Sequence, residues 1–178
     1  MKEELKFKLC IFGDFAVGKT TLAHRYLTTL FRGTVKVTLG MEIHVKELEM
    51  EGHQINLQIW DFGGQRRFKY LLPAYARGSF GGIFMYDISN EDSLTELDDW
   101  MDHFYQGLRE DISLVPLLLV GGKSDLKMQR EVKLEDAKKF QAKYKFIDVI
   151  ECSAKTGENV DLIFEKVVRE IMKIRGFL

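Results

Sequence analysis

The chain has 178 residues, 26 of them lysine or arginine and 27 aspartate or glutamate, for a net charge of −1. That length suits one domain, residues 1–178, able to bury a full core without disulfides or a structural metal, and the balanced charge gives nucleic acid no electrostatic hold. Cys10 and Cys152 lie far apart and read as reduced thiols of a cytoplasmic protein, while His24, His44, His53 and His103 are scattered without ligand spacing.

The first residues, Met1-Lys2-Glu3-Glu4-Leu5, lack the apolar core of a signal peptide, and residue 2 is not the glycine that myristoylation needs. The end, Ile174-Arg175-Gly176-Phe177-Leu178, holds no cysteine for prenylation, and no apolar run approaches membrane-spanning length. The expectation is a soluble chain with no membrane anchor of its own.

A first strand is expected at Phe7-Lys8-Leu9-Cys10-Ile11-Phe12. The stretch that follows, Gly13-Asp14-Phe15-Ala16-Val17-Gly18-Lys19-Thr20, fits the pattern GxxxxGK[ST] and opens a helical segment from Thr21 to Leu27. In that setting the glycines let backbone N–H groups turn inward onto phosphate oxygens, and the helix adds the positive end of its dipole. Lys19 would reach the β- and γ-phosphates, and the Thr20 hydroxyl would ligate Mg²⁺.

A loop from about Leu30 to Gly40 leads to strands at about Glu42 to Met50 and Gln54 to Trp60, paired as a hairpin across Glu51-Gly52-His53. Apolar runs at 83–86, 115–120 and 146–150 read as buried parallel strands. Helices are expected at about Ser93 to Leu108, Leu134 to Lys143 and Val160 to Ile174, the last with Val160, Ile163, Phe164, Val167, Val168 and Ile171 on one face. Alternating strands and helices predict an α/β domain. It has about six mostly parallel strands with one antiparallel edge strand, helices on both faces, and ligands at the carboxyl ends of the strands.

The phosphate loop alone allows adenosine or guanosine triphosphate. After the third strand, Trp60-Asp61-Phe62-Gly63-Gly64-Gln65 offers Asp61 to support Mg²⁺ and the Gly64 N–H to meet the γ-phosphate. Two later segments decide the base: Gly122-Lys123-Ser124-Asp125 and Glu151-Cys152-Ser153-Ala154-Lys155. The Asp125 carboxylate can accept from both N1–H and the 2-amino group of guanine, donors that adenine lacks there. The Lys123 stem can lie along the purine face, and the Ala154 N–H can donate to the guanine carbonyl.

Phosphate loop, WDxxGQ, KxD and SAK together resemble the Ras superfamily of small GTPases, most closely its Rab-like members, over about Phe7 to Lys173. The resemblance implies GTP or GDP with Mg²⁺ as cofactors. Phe31 is placed as the aromatic beside guanine, and Thr38 as a Mg²⁺ ligand that senses the γ-phosphate. Residues 13–21, with Gly64, Lys123, Asp125 and Ser153 to Lys155, would hold the nucleotide. The implied reaction is attack of a water oriented by Gln65 on the γ-phosphate, with Lys19 stabilising charge, at a rate on the order of 10⁻⁴ s⁻¹ unaided. Switch segments near 31–42 and 61–77 would meet effectors and regulators, the chain being a monomer or a weak nucleotide-dependent dimer. A hydrolysis-poor GTP/GDP-binding scaffold is the alternative.

Four departures from the family pattern bear on this. Phe15 replaces a glycine and would crowd Gln65 and any arginine finger. Arg66 replaces an acid; it or Arg67 could serve as a finger, or simply lie on the surface. Gly122 replaces the asparagine of NKxD, a loss of about 1 to 3 kcal/mol if those contacts are buried and unreplaced. Val35 replaces a tyrosine over the phosphates. Ile43, Trp60 and Tyr75 stand where Rab-like relatives show an apolar triad to effectors, with Phe62, Phe68, Tyr70 and Leu71 nearby.

Overall fold

The computed structural model describes residues 4–108 and 111–178. Among these, six strands make one sheet: β1 (Glu4–Gly13), β2 (Met41–Met50), β3 (His53–Phe62), β4 (Gly81–Asp87), β5 (Leu117–Gly122) and β6 (Val149–Glu151), in the order β2-β3-β1-β4-β5-β6. Only β2 runs antiparallel to its neighbour; the β1, β3, β4, β5 and β6 pairings are parallel. The hairpin closes through Glu51 (φ 49°) and Gly52 (φ 80°), a left-handed pair of the kind that matches strand twist.

Alternation along β1 divides the core. Leu9 and Ile11 point to one face, where α1 (Lys19–Thr28) and α6 (Val160–Ile174) bring Leu22, Ala23, Ile163, Phe164 and Val167, and the Tyr26 and Phe164 rings stack at 3.8 Å. Cys10 and Phe12 point to the other, against α2 (Leu72–Ala76), α4 (Leu97–Gly107) and α5 (Leu134–Tyr144), with Phe12 packed on Phe62, Phe84 and Phe104. The expected α/β architecture with helices on both faces is therefore observed.

Boundaries moved for local reasons. The helix expected from Ser93 begins at Glu91, because the Asn90 side chain accepts the Asp92 N–H as an N-cap. It divides at Glu96 into α3 (Glu91–Thr95) and α4, beside a Thr95 hydroxyl that donates to the Asp92 carbonyl. Pro116, which has no N–H, keeps β5 from starting before Leu117. Phe146 is drawn back to the end of α5, its N–H on the Gln141 carbonyl, so β6 is assigned only from Val149. The 3₁₀ turn Arg66–Leu71 and helix α2, with Pro73 in its first turn, carry no clear periodicity and were not foreseen. Among the described residues, no helix is long and apolar enough to cross a membrane.

Candidate active site

Parallel strands end together, so the loops after β1, β3, β5 and β6 gather at one edge of the sheet. Between β1 and α1, Lys19 folds back under its own loop and donates to the carbonyls of Gly13 (2.9 Å) and Asp14 (2.6 Å). Burial pushes its ammonium down to about 8, against the opposing pull of the Asp61 and Asp14 carboxylates. An anion in front of Lys19 would favour the charged ammonium and raise it again.

One turn of chemistry lies beside it. The Thr20 hydroxyl donates to Asp61 Oδ2 at 2.5 Å and stands 2.7 Å from the Thr38 hydroxyl. Asp61 is wholly buried, and desolvation holds its carboxyl above the usual range despite the Thr20 hydrogen bond and Lys19. Among the described residues, nothing hydrogen-bonds its Oδ1. A buried carboxylate with an unsatisfied oxygen, next to two hydroxyls, is a hard all-oxygen donor set that fits Mg²⁺.

At the far end, Asp125 Oδ1 accepts from the Ser153 hydroxyl at 2.7 Å, which fixes the carboxylate's orientation. Lys123 Nζ donates to the Ala16 carbonyl (2.8 Å) and pairs with Asp87 Oδ2 (2.6 Å), tying the β5 loop to the phosphate loop. Between the two ends is a cavity of about 400 Å³. Phe15, Ala16, Val17, Gly18, Lys19, Thr20 and Thr21 line it, joined among others by Phe31, Val35 and Thr38 and by Gly64, Lys123, Asp125, Ala154 and Lys155. Gly13, Asp14, Asp61 and Ser153 stand behind this lining and act on it through the bonds just given. Gln65 is outside it.

Gly64 belongs where it is for a steric reason. A Cβ there would come within 2.4 Å of the Asp14 carbonyl and 2.5 Å of the Phe15 nitrogen, so the segment after β3 lies directly on the phosphate loop. The loop, two hydroxyls and the Asp125 carboxylate share one cavity with Asp61 hydrogen-bonded behind them, and the Ras family profile matches residues 8–173. The chain belongs to the Ras family. It is 38% identical over 171 residues to the Ras-related protein Rab-13 of Rattus norvegicus, covering 96% of this chain and 82% of that one. Ras-related protein RABA5d of Arabidopsis thaliana is 37% identical over 169 residues (95% and 75% of the two chains), and Rab-12 of Homo sapiens 37% over 170 (96% and 68%). As a Rab-like small GTPase of the Ras family, the chain binds guanine nucleotide, hydrolyses GTP and works as a switch with effector and regulator proteins.

Against that family pattern the four departures acquire physical detail. Where the Ras-family asparagine is replaced by Gly122, a Cβ would meet Met85 Cε at 2.4 Å and the Val17 carbonyl at 3.0 Å, so the Met85 side chain fills the place. Met85 also lines the cavity, a role hidden in sequence because it sits in an ordinary apolar strand run. Phe15 is 51% exposed at the cavity mouth, and Val35 lines its rim. Gln65 turns aside: its Oε1 accepts from Arg67 Nε at 2.8 Å, and that guanidinium lies over the Phe68 ring. Arg66 instead reaches Glu96 at 2.7 Å. Lys69, nearly buried over Trp100, pairs with Glu96 (3.2 Å) and Asp99 (2.6 Å).

The expected apolar triad is partly exposed. Ile43 faces Trp60 across the β2–β3 ladder and is half open to solvent, and Trp60 packs toward Tyr75. Lys8 Nζ lies 3.6 Å from the Trp60 ring. Tyr70 is exposed, whereas Phe62 is buried in the core.

Proposed function

We propose that residues 1–178 act as a single cytoplasmic G domain that binds GTP or GDP with Mg²⁺ and slowly hydrolyses GTP. The observation that carries this is the convergence of Lys19, Thr20, Thr38 and Asp61 at one end of the cavity with Lys123 and Asp125 at the other. Thr20 and Thr38 would hold Mg²⁺ with Asp61 behind them, and the ion when bound would supply neutralisation of phosphate charge. Lys19 and the N–H groups from residue 14 to 20 hold the phosphates, and the Gly64 N–H meets the γ-phosphate. Asp125, oriented by Ser153, reads guanine. Phe31, Lys123, Ala154 and Lys155 enclose the base.

Hydrolysis needs Gln65 to swing from Arg67 to the attacking water. Loss of the γ-phosphate then releases Thr38 and Gly64, and with them the segments 31–42 and 61–77 that effectors and regulators read. Tyr70 and Tyr75 lie within that surface, and Ile43 and Trp60 border it on β2 and β3.

One observation favours a second reading, a nucleotide-holding scaffold with little turnover: Gln65 is engaged outside the cavity while Phe15 stands in its mouth. Single-turnover hydrolysis of GTP preloaded with Mg²⁺, with ATP as control, separates the two. Slow loss of GTP that Gln65→Leu abolishes supports the switch. GTP equally stable in both proteins supports the scaffold, and binding of ATP as tight as GTP would remove both.

A further inference from the structure

Sequence spacing gave the histidines no ligand pattern, yet folding brings two of them together with a carboxylate. Glu42 and His44 are two residues apart on β2 and so share a face, opposite Asp61 and Ile59 of β3. Helix α1 covers this region, and His24 stands on it one turn beyond Thr20. The His24 and His44 rings meet edge-on with centroids 5.4 Å apart. One ligand atom from each of His24, Glu42 and His44 lies within 4.8 Å of the other two, and no other such trio occurs among the described residues.

His44 Nε2 is cut off from solvent and, among the described residues, makes no hydrogen bond; Glu42 Oε2 stands 3.7 Å from it, too far for one. A buried ring nitrogen without a partner is a group in want of a ligand. A metal with bonds of about 2.0–2.1 Å holds tetrahedral ligands about 3.3 Å apart, so that pair needs only a few tenths of an ångström of adjustment. Rotation of the His24 ring and of the half-exposed Glu42 side chain would close the rest.

We propose that His24, Glu42 and His44 form a binding site for a divalent transition-metal ion, Zn²⁺ being the natural fit, with water as the fourth ligand. Two imidazoles and one carboxylate are a borderline-soft set that selects Zn²⁺, Co²⁺ or Ni²⁺, in contrast to the all-oxygen group at Thr20, Thr38 and Asp61 that suits Mg²⁺. The ion would clamp α1 to the first residues of β2, immediately after the loop that carries Thr38.

The test is cobalt titration of the full chain loaded with GDP in millimolar Mg²⁺, followed by visible absorption and by competition with Zn²⁺. Expected is one equivalent of Co²⁺ giving the strong bands of a four- or five-coordinate nitrogen-containing site, displaced stoichiometrically by Zn²⁺. Glu42→Gln and His24→Gln should each retain GDP at the parent's level and bind Co²⁺ at least about 100-fold more weakly. Absence of the bands in the parent overturns the proposal. So do bands that persist in both variants, which would assign the metal to the nucleotide site or elsewhere, leaving the histidine pair a packing contact.

Discussion

Arg67 and Gln65 offer a perturbation whose sign separates two roles. In the structure the Arg67 guanidinium donates to the Gln65 amide oxygen at 2.8 Å and lies 4.9 Å from the Phe68 ring centre, holding the glutamine outside the cavity. Both partners are solvent-accessible, so the latch contributes at the low end of the hydrogen-bond range, about 0.5–1 kcal/mol. Arg67→Ala removes it, and if that energy must be spent before Gln65 can orient water, the barrier falls by the same amount. A tenfold rate change corresponds to about 1.4 kcal/mol, so hydrolysis should quicken roughly two- to fivefold. Single-turnover GTP hydrolysis with Mg²⁺ measures this directly. Arg66→Ala is the control, since Arg66 pairs with Glu96 and should leave the rate within about twofold. A rate that falls in Arg67→Ala would make Arg67 a participant in the chemistry, and an unchanged rate would mean the latch is not an obstacle; either refutes the reasoning.

Phe15→Gly should also speed hydrolysis by opening the space beside Gln65, with stability lowered by no more than about 1 kcal/mol because the ring is half exposed; a rate no faster than the parent's counts against crowding. Gly122→Asn, although it restores the family residue, should destabilise the GDP-bound protein by about 1–3 kcal/mol in urea, because its Cβ meets Met85 Cε at 2.4 Å. Adding Met85→Ala should relieve part of that cost, and double-mutant additivity within about 0.5 kcal/mol would rule out the clash. Burial raises the Cys10 thiol to about 11 and the Cys152 thiol to about 12, from an ordinary 9.0. Both should resist a maleimide from pH 7 to pH 9 in the native protein and react once unfolded; rapid native labelling would contradict their burial. Because the folded state holds these protons more tightly, their contribution to stability is full below pH 9 and is lost as pH rises through 11 to 12, an alkaline decline that Cys10→Ser with Cys152→Ser should reduce in pH-dependent melts.

The motifs were legible because each depends on short-range chemistry: a glycine turn feeding a helix, and carboxylates placed at or just past the ends of strands. Gly13 to Thr20, Asp61 and Asp125 could therefore be assigned to one site before any contact was known. Alternation in Gln54 to Trp60 revealed the antiparallel pair for the same reason. What stayed hidden depends on three-dimensional neighbours. Met85 looks like any strand residue until Gly122 is found beside it, and His24 and His44 are separated by a loop whose path no periodicity encodes. The turn at Arg66–Leu71 draws its order from Lys69 binding Glu96 at the α3–α4 break and Asp99 on α4, a contact between segments about thirty residues apart. Gln65 was recognised by type, yet its orientation depends on a neighbour two residues on.

Lys69 also fixes the mechanical length of the second switch. Its side chain is only 7% exposed, so turning this stretch away from Glu96 and Asp99 breaks two ion pairs and uncovers the Trp100 ring. The residue thus acts as a fulcrum: of the segment 61–77, the arm from Phe62 to Phe68 swings first when the γ-phosphate departs, and the stretch from Lys69 onward follows only if both ion pairs open. A partner protein that grips that short arm or the loop around Thr38 would therefore tell the two nucleotide states apart most sharply, and one that grips Tyr75 and Trp60 alone least.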